Sequence, residues 1–195
     1  MSQIVRCAKE VFRQEAAALE RLSEQIGAEY EQAVQLILST QGKVIVSGMG
    51  KAGHIGKKAA ASLASTGTPA FFVHPAEALH GDAGMVTAQD LVMAISNSGE
   101  TAELLSFLAI VQDIGAPIIA ITGGLQSRLS KMADVTLAAQ VEREADPLNL
   151  APTTSAVAQL AVADALVVCV MAERGFTTQD FRRYHPGGAL GKRLA

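Results

Sequence analysis

The chain has 195 residues, 49% hydrophobic and 18% charged, with a formal net charge of −3 and a mean hydropathy of +0.26. This balance excludes intrinsic disorder, which needs low hydrophobicity and high net charge. It also lacks the basic excess of a nucleic-acid binder. A chain of this length corresponds to one domain and buries about 70% of its unfolded surface, so it needs no disulfide or metal staple. Cys7 and Cys169 lie far apart in apolar helical patterns and read as buried thiols of a reducing compartment. The first 30 residues are polar-interrupted and acidic, unlike a signal peptide. The longest near-apolar run, Leu160 to Ala172, has 13 residues and contains Asp164. A membrane span needs about 20, so a soluble, cytoplasmic protein is expected, with neither membrane nor nucleic acid as partner.

The first 40 residues read as helix, with Ile4, Val11, Leu19, Leu22 and Ile26 on one apolar face. A second helical stretch runs from Glu29 to about Leu38. Val44-Ile45-Val46, ending at Ser47-Gly48, suits a strand buried on both faces. A helix follows from about His54 to Ser65, closed by Gly67. The second strand is Phe71 to Val73, the third Leu91 to Ile95, and the next helix Thr101 to Gln112. Ile118 to Ile121 is the fourth strand, Arg128 to Met132 a short helix, and Val135 to Leu137 the fifth strand. Pro152 opens a long helix to about Glu173, and the tail from Thr177 is polar and Gly/Pro-rich. Strands alternating with helices imply an α/β fold, a three-layer α/β/α sandwich on a five-stranded parallel sheet of flavodoxin-like type. The expected organisation is one domain over 1–195, with N-terminal helices over 1–40, an α/β core over 42–175 and a tail over 176–195.

Ligands of such sheets bind beyond the carboxyl ends of the strands. Gly48-x-Gly50-x-x-Gly53 follows the first strand as a dinucleotide fingerprint would, but no Asp or Glu lies between Gly56 and Pro75 to hold a ribose. The spacing around Lys51 also departs from a P-loop. A tight strand–helix turn, or a turn whose Lys51 lines another anion site, remains. Ser96-Asn97-Ser98-Gly99-Glu100-Thr101 is more specific. One helix cap needs one hydroxyl, and here there are three, which favours a phosphate site at a helix N-terminus. Glu103 has a helix-dipole explanation and Glu144 a solvated-surface one. His80 and His185 sit in polar loops, and His54 inside a helix reads as structural. No His, Cys or carboxylate pair has structural-metal spacing, and no Gly-x-Ser-x-Gly elbow is present.

Together, Ser47 to His54, His80-Gly81-Asp82, Ile95 to Thr101, Pro147 to Thr154 and His185-Pro186-Gly187-Gly188 resemble the sugar isomerase (SIS) domain of D-arabinose-5-phosphate isomerases. The resemblance runs from about Gly42 to Leu194. It implies interconversion of D-ribulose 5-phosphate and D-arabinose 5-phosphate, which feeds an eight-carbon acid sugar of lipopolysaccharide or capsule, with no cofactor required. It implies catalytic roles for Lys51, Glu103, Glu144 and His185, with His80 close by. It also implies a zinc-sensitive histidine at His74. The expected substrate-binding set is Ser47, Gly48, Gly67, Thr68, His74, Ser96, Asn97, Ser98, Gly99 and Thr101. Two features depart from the family pattern. Many members carry a C-terminal pair of cystathionine-β-synthase domains, whereas this sequence stops at Ala195, and regulation through such a pair is not expected. Asp146 stands where the family usually has Cys, which alters the charge around Glu144.

The chemistry needs a base to move a proton between C1 and C2, an acid for O1 and O2, and a group to stabilise an enediolate. Glu144 is the leading base, with partial burial expected to raise its pKa toward the working pH. His185 and His80 are candidates for ring opening and proton handling, Lys51 for oxyanion stabilisation, and Glu103 for orienting Lys51 or a hydroxyl. Two other readings stand beside this one. They are an isomerase of hexose or heptose phosphates, and a non-catalytic sugar-phosphate sensor. Apolar faces on the first and long helices exceed what one sheet can cover, so a homotetramer built from dimers is expected. The polar tail then need not fold back on its own subunit, and His80 or His185 would reach a neighbour's site.

Overall fold

The computed structural model describes residues 2–187. The strands β1 (Val44–Gly48), β2 (Ala70–Phe72), β3 (Leu91–Ser96), β4 (Ile118–Thr122) and β5 (Val135–Ala138) form one sheet. It is parallel throughout, in the order β2-β1-β3-β4-β5. The helices are α1 (Gln3–Glu24), α2 (Ala28–Ser39), α3 (Gly50–Ser65), α4 (Pro75–Ala78), α5 (Ala102–Ile114), α6 (Arg128–Met132), α7 (Thr154–Glu173) and α8 (Thr178–Tyr184).

Every residue of β1, β3 and β4 is buried, because helices cover both faces. Val44 and Val46 of β1 point to one core, with Met93, Leu137 and residues of α2, α3 and α7. Ile45 points to the other, with Val92, Ala120 and residues of α4, α5 and α6. The period of two along each strand thus separates two hydrophobic layers on one sheet. The strand order reverses between β1 and β3, so the connections from their carboxyl ends leave toward opposite faces. A crevice opens there.

Several expectations are corrected here. α3 begins at Gly50, a full turn before His54, because the glycine turn is itself the first turn of the helix. Gly53 explains this: a Cβ there would lie 2.6 Å from the Gly48 carbonyl oxygen. His54 is exposed on this helix rather than packed. Both cysteines are exposed. Cys7 sits on the uncovered half of α1, where Ile4 is 81% and Phe12 76% exposed, and Cys169 lies next to exposed Val168 on α7. The apolar periodicity is real, but one chain leaves those faces bare.

The long helix has 20 residues and is, by length and composition, long and apolar enough to cross a membrane, more so than the 13-residue run implies. It is nevertheless a core helix: Val162, Ala163, Leu166, Val167 and Val170 are buried against the sheet and its neighbours. Of the polar tail, Thr178–Tyr184 forms α8, capped reciprocally by Thr177 and Asp180. It folds back on its own chain. Arg174 donates to the Gly67 carbonyl at 2.8 Å, and the Phe176 ring, stacked on Tyr184, is 3.2 Å from where a Gly67 Cβ would be.

Helix propensity favours Ala over Gly by about 1 kcal/mol in a helix interior. The collision with the Gly48 backbone costs more, about 1–3 kcal/mol. Gly53→Ala is therefore expected to lower the urea midpoint, and a rise would show that α3 does not press on the end of β1.

Candidate functional site

The crevice between the carboxyl ends of β1 and β3 is a cleft of about 260 Å³. The first turn of α3 lines it with Met49 (its N-cap), Lys51 and Ala52. The β3–α5 loop adds Ser96, Asn97, Ser98 and Thr101, and the start of α7 adds Pro152, Ser155, Ala156 and Gln159. Three helix N-termini thus meet at one cavity. Each carries uncompensated N–H dipoles equivalent to about half a positive charge. Lys51 is the one charged side chain among the lining residues. Its lining is electropositive, through Lys51 and the helix N-termini.

The hydroxyls of the β3–α5 loop organise the loop rather than cap the helix. Ser96 Oγ accepts from Gly99 N at 3.1 Å and lies 3.0 Å from Thr101 Oγ1. Ser98 Oγ accepts from Glu100 N at 3.2 Å. Thr101 holds the N-cap position of α5, yet its side chain makes no capping bond. The first-turn amides of α5 therefore have no side-chain acceptor. Gly99 has φ +67°, and a Cβ there would sit 2.0 Å from Ser127 Oγ. No other residue fits this crossing over the start of α6. Glu100 is turned away from the cleft. Its carboxylate accepts from Arg128 Nε and Arg128 N, and these bonds hold its pKa below the usual range.

Glu144 does not line the cleft; it sits one hydrogen bond behind it. Its Oε2 accepts from Thr153 N at 2.8 Å, Thr153 Oγ1 at 3.1 Å and Ser155 N at 3.1 Å. Its Oε1 accepts from the Ser155 hydroxyl, which does line the cleft. Burial pushes the Glu144 carboxyl up, but the bonds from Ser155 and Thr153 outweigh it and hold it below the ordinary value. This corrects the expectation of a raised pKa: the carboxylate caps α7, and hydrogen bonds to the charged form win over partial desolvation. The loop from Glu144 to Thr153 is held from within. Asp146 accepts from the amides of Leu148, Leu150 and Ala151. Asn149, at φ +56°, accepts from Glu144 N at 2.6 Å. Asp146 thus does local work as a backbone cradle.

The remaining expected residues are not brought to this cleft within one chain. Ser47 is fully buried, with its hydroxyl donating to the Val73 carbonyl at 2.8 Å. Gly48 lies under it, where a Cβ would meet the Ile95 carbonyl oxygen at 2.9 Å. Glu103 is exposed on the first turn of α5, and no interaction joins it to Lys51. His80 is exposed after α4. His74 follows β2; its Nδ1 is buried without a partner, and its ring lies edge-on to Phe72. Among the described residues no three His, Cys, Asp or Glu side chains gather as metal ligands. Gly67 and Thr68 precede β2, at the opposite end of the sheet. His185 is at that end too, as the C-cap of α8, whose Tyr184 lies beside Gly67. It stacks on Phe181 at 3.9 Å, and its Nδ1 lies 2.9 Å from the Phe181 carbonyl oxygen. A carbonyl only accepts, so Nδ1 is the donor in this contact. Gly188 of the His-Pro-Gly-Gly run lies outside the described residues.

Ser155, Ala156 and Gln159 were missed in the sequence. The Pro-Thr-Thr-Ser run before an apolar helix was the available signal for a helix N-terminus. A second hollow, between α1, α2, β5 and α7, is lined mainly by apolar groups such as Leu19, Leu22 and Ile26. Burial pushes the Tyr30 phenol there up to about 12, so it stays neutral.

Because the Glu144 pKa is depressed on folding, its stabilisation is full above the ordinary glutamate value of about 4.3. It is lost as pH falls through the lower folded value. Glu144→Gln is expected to cost about 1–2 kcal/mol in urea unfolding at pH 7, with the difference from wild type shrinking below pH ~4. A difference constant down to pH ~3 would contradict the cap.

A family model described as the SIS domain matches residues 37–169. The chain is 53% identical over 180 residues to the arabinose 5-phosphate isomerase KdsD of Pseudomonas aeruginosa, covering 92% of this chain and 55% of that protein. It is 47% identical over 192 residues to the arabinose 5-phosphate isomerase KpsF of Escherichia coli, covering 98% and 59%. It therefore spans little more than half the length of these curated relatives. An E. coli CFT073 protein solved in complex with arabinose 5-phosphate superposes with a TM-score of 0.91 at 40% identity, over 95% of this chain and 100% of that one. With the sheet order, the switch-point cleft and these matches in hand, the chain is placed in the SIS domain family.

Proposed function

We propose that this protein is an aldose–ketose isomerase that interconverts D-arabinose 5-phosphate and D-ribulose 5-phosphate through an enediolate, without a cofactor. The observation that carries this reading is the convergence of three helix N-termini and Lys51 on one small polar cleft. Similarity to arabinose 5-phosphate isomerases supports the substrate. The phosphate sits on the β3–α5 loop, held by Ser96, Ser98, Thr101 and the free amides of α5. Asn97 and Gly99 shape that loop, with Ser47 and Gly48 supporting its floor.

The isomerisation moves two protons, one from C2 to C1 and one from O2 to O1. A base takes the first from C2 of the open-chain aldose, and the electron pair moves to leave negative charge on O1. A proton passes from O2 to O1, and the base returns its proton to C1. Glu144 is ionised at neutral pH and reaches the cleft through the Ser155 hydroxyl bonded to its Oε1: Ser155 Oγ takes the C2 proton as its own proton passes to Glu144. Lys51 stabilises the enediolate oxygen.

His185 and the Gly67–Thr68 pair lie at the end of the sheet opposite the cleft. They are separated from it by α7, 20 residues or about 30 Å long. For His185 to handle a proton at the cleft it must come from a neighbouring subunit. The exposed apolar side chains of α1 and α7, among them Ile4, Phe12 and Val168, supply a surface for that association. We therefore propose a cytoplasmic homotetramer with sites shared between subunits. His74, His80 and Glu103 would join the site across that boundary, where His74 would account for zinc sensitivity.

A sugar-phosphate sensor needs the anion cleft but no proton-moving groups. Turnover therefore decides between the two. Glu144→Gln is expected to lower kcat by about 10²-fold or more with KM within a few fold. Ser96→Ala with Ser98→Ala is expected mainly to raise KM, because the phosphate is held alike in ground and transition states. Steady-state isomerisation of arabinose 5-phosphate, beside hexose and heptose phosphates, checks both. Binding without turnover by the wild type would establish the sensor instead.

Shared sites have their own test. Lys51→Ala and His185→Ala proteins, each inactive alone, are expected to regain activity when unfolded, mixed and refolded together. Hybrids with no activity, or a fully active monomer by light scattering, would refute the sharing.

A further inference from the structure

Gln159 is a polar residue in an apolar setting. It lies on α7 one turn beyond Ser155, is 3% exposed and lines the cleft. Farther along the same helix come Val162, Ala163 and Leu166 of the hydrophobic core. Among the described residues no hydrogen bond joins its side-chain amide to any protein group. The amide atoms are not sealed from solvent, but an amide so enclosed and without a protein partner is less favourable than an apolar side chain of similar size. What access the amide keeps is to the cleft. The mechanism above does not use it.

The chemistry of the amide selects its partner. Glutamine presents an NH₂ donor and a carbonyl acceptor side by side. A phosphate dianion only accepts, and the carbonyl oxygen would be repelled by it. The donors that a phosphate needs are already present on the loop, on Lys51 and on the helix N-termini. A sugar hydroxyl both donates and accepts, so it satisfies both halves of the amide. We propose that Gln159 is a specificity-determining residue whose side-chain amide pairs with a hydroxyl of the sugar chain, so that the cleft distinguishes a polyhydroxylated phosphate from phosphate alone. This rests on the sugar-phosphate reading of the cleft and deepens it.

Calorimetric titration of the wild type, Gln159→Leu and Gln159→Met with D-arabinose 5-phosphate and with inorganic phosphate tests this. Both variants replace an unpaired polar group with an apolar one, so thermal unfolding is expected at or above the wild-type temperature. Arabinose 5-phosphate is expected to bind about tenfold or more weakly to the variants, because a lost hydroxyl partner is discriminated strongly. Inorganic phosphate is expected to stay within about twofold, since its donors are untouched. Unchanged arabinose 5-phosphate affinity in either folded variant overturns the proposal. Equal weakening of both ligands also overturns it, since Gln159 would then serve the phosphate or the scaffold. So does a wild type that binds arabinose 5-phosphate no better than phosphate. Wild-type binding without turnover would sink the isomerase reading alone, and the ratio of the two affinities would still measure Gln159.

Discussion

The gap between β1 and β3 governs the rest of this molecule. In a parallel sheet every strand ends at the same side, and each following helix begins there. Where the order reverses, the helices after neighbouring strands leave to opposite faces, and their N-termini flank a gap that no side chain fills. Here α3 and α5 flank it and α7 closes its third side. The partial charges follow from the fold, not from a cluster of basic residues. A chain with a net charge of −3 can therefore bind an anion.

Two loops convert that gap into a site, and both are held by their own side chains. The β3–α5 loop closes on itself through Ser96, Ser98 and Thr101, with Gly99 allowing it to pass Ser127. The loop before α7 is held by Asp146 and Asn149, and its Glu144 takes four hydrogen bonds from Thr153 and Ser155. Glu144 is thus a structural cap and a candidate base at once. A base held in this way is well placed but less basic, so its task depends on placement more than on driving force.

The strands were legible in the sequence because a doubly covered parallel sheet writes each strand as a short β-branched run, such as Val44-Ile45-Val46 or Ile118-Ile119-Ala120-Ile121. The Ser96–Thr101 loop was legible because three hydroxyls exceed the needs of a cap. Less local features were not. Whether Glu144 is raised or lowered depends on Thr153 and Ser155, nine and eleven residues on. The exposure of Cys7 and Cys169 depends on which helix faces a single chain can cover. Periodicity reports an apolar face but not what covers it. Gln159 is a single amide in an apolar helix, and only the fold reveals that it opens on the cleft.

At the end of the sheet that bears Gly67, Thr68 and His185, Arg174, Phe176 and Tyr184 grip the Gly67 turn. All of this rests on the cleft holding the phosphate. The most direct measurement is a crystal structure with D-arabinose 5-phosphate. The account predicts phosphate oxygens within about 3.2 Å of the Ser96, Ser98 or Thr101 hydroxyls, with the sugar chain running toward Lys51 and Gln159. A phosphate seated elsewhere, with the β3–α5 loop empty, would contradict it.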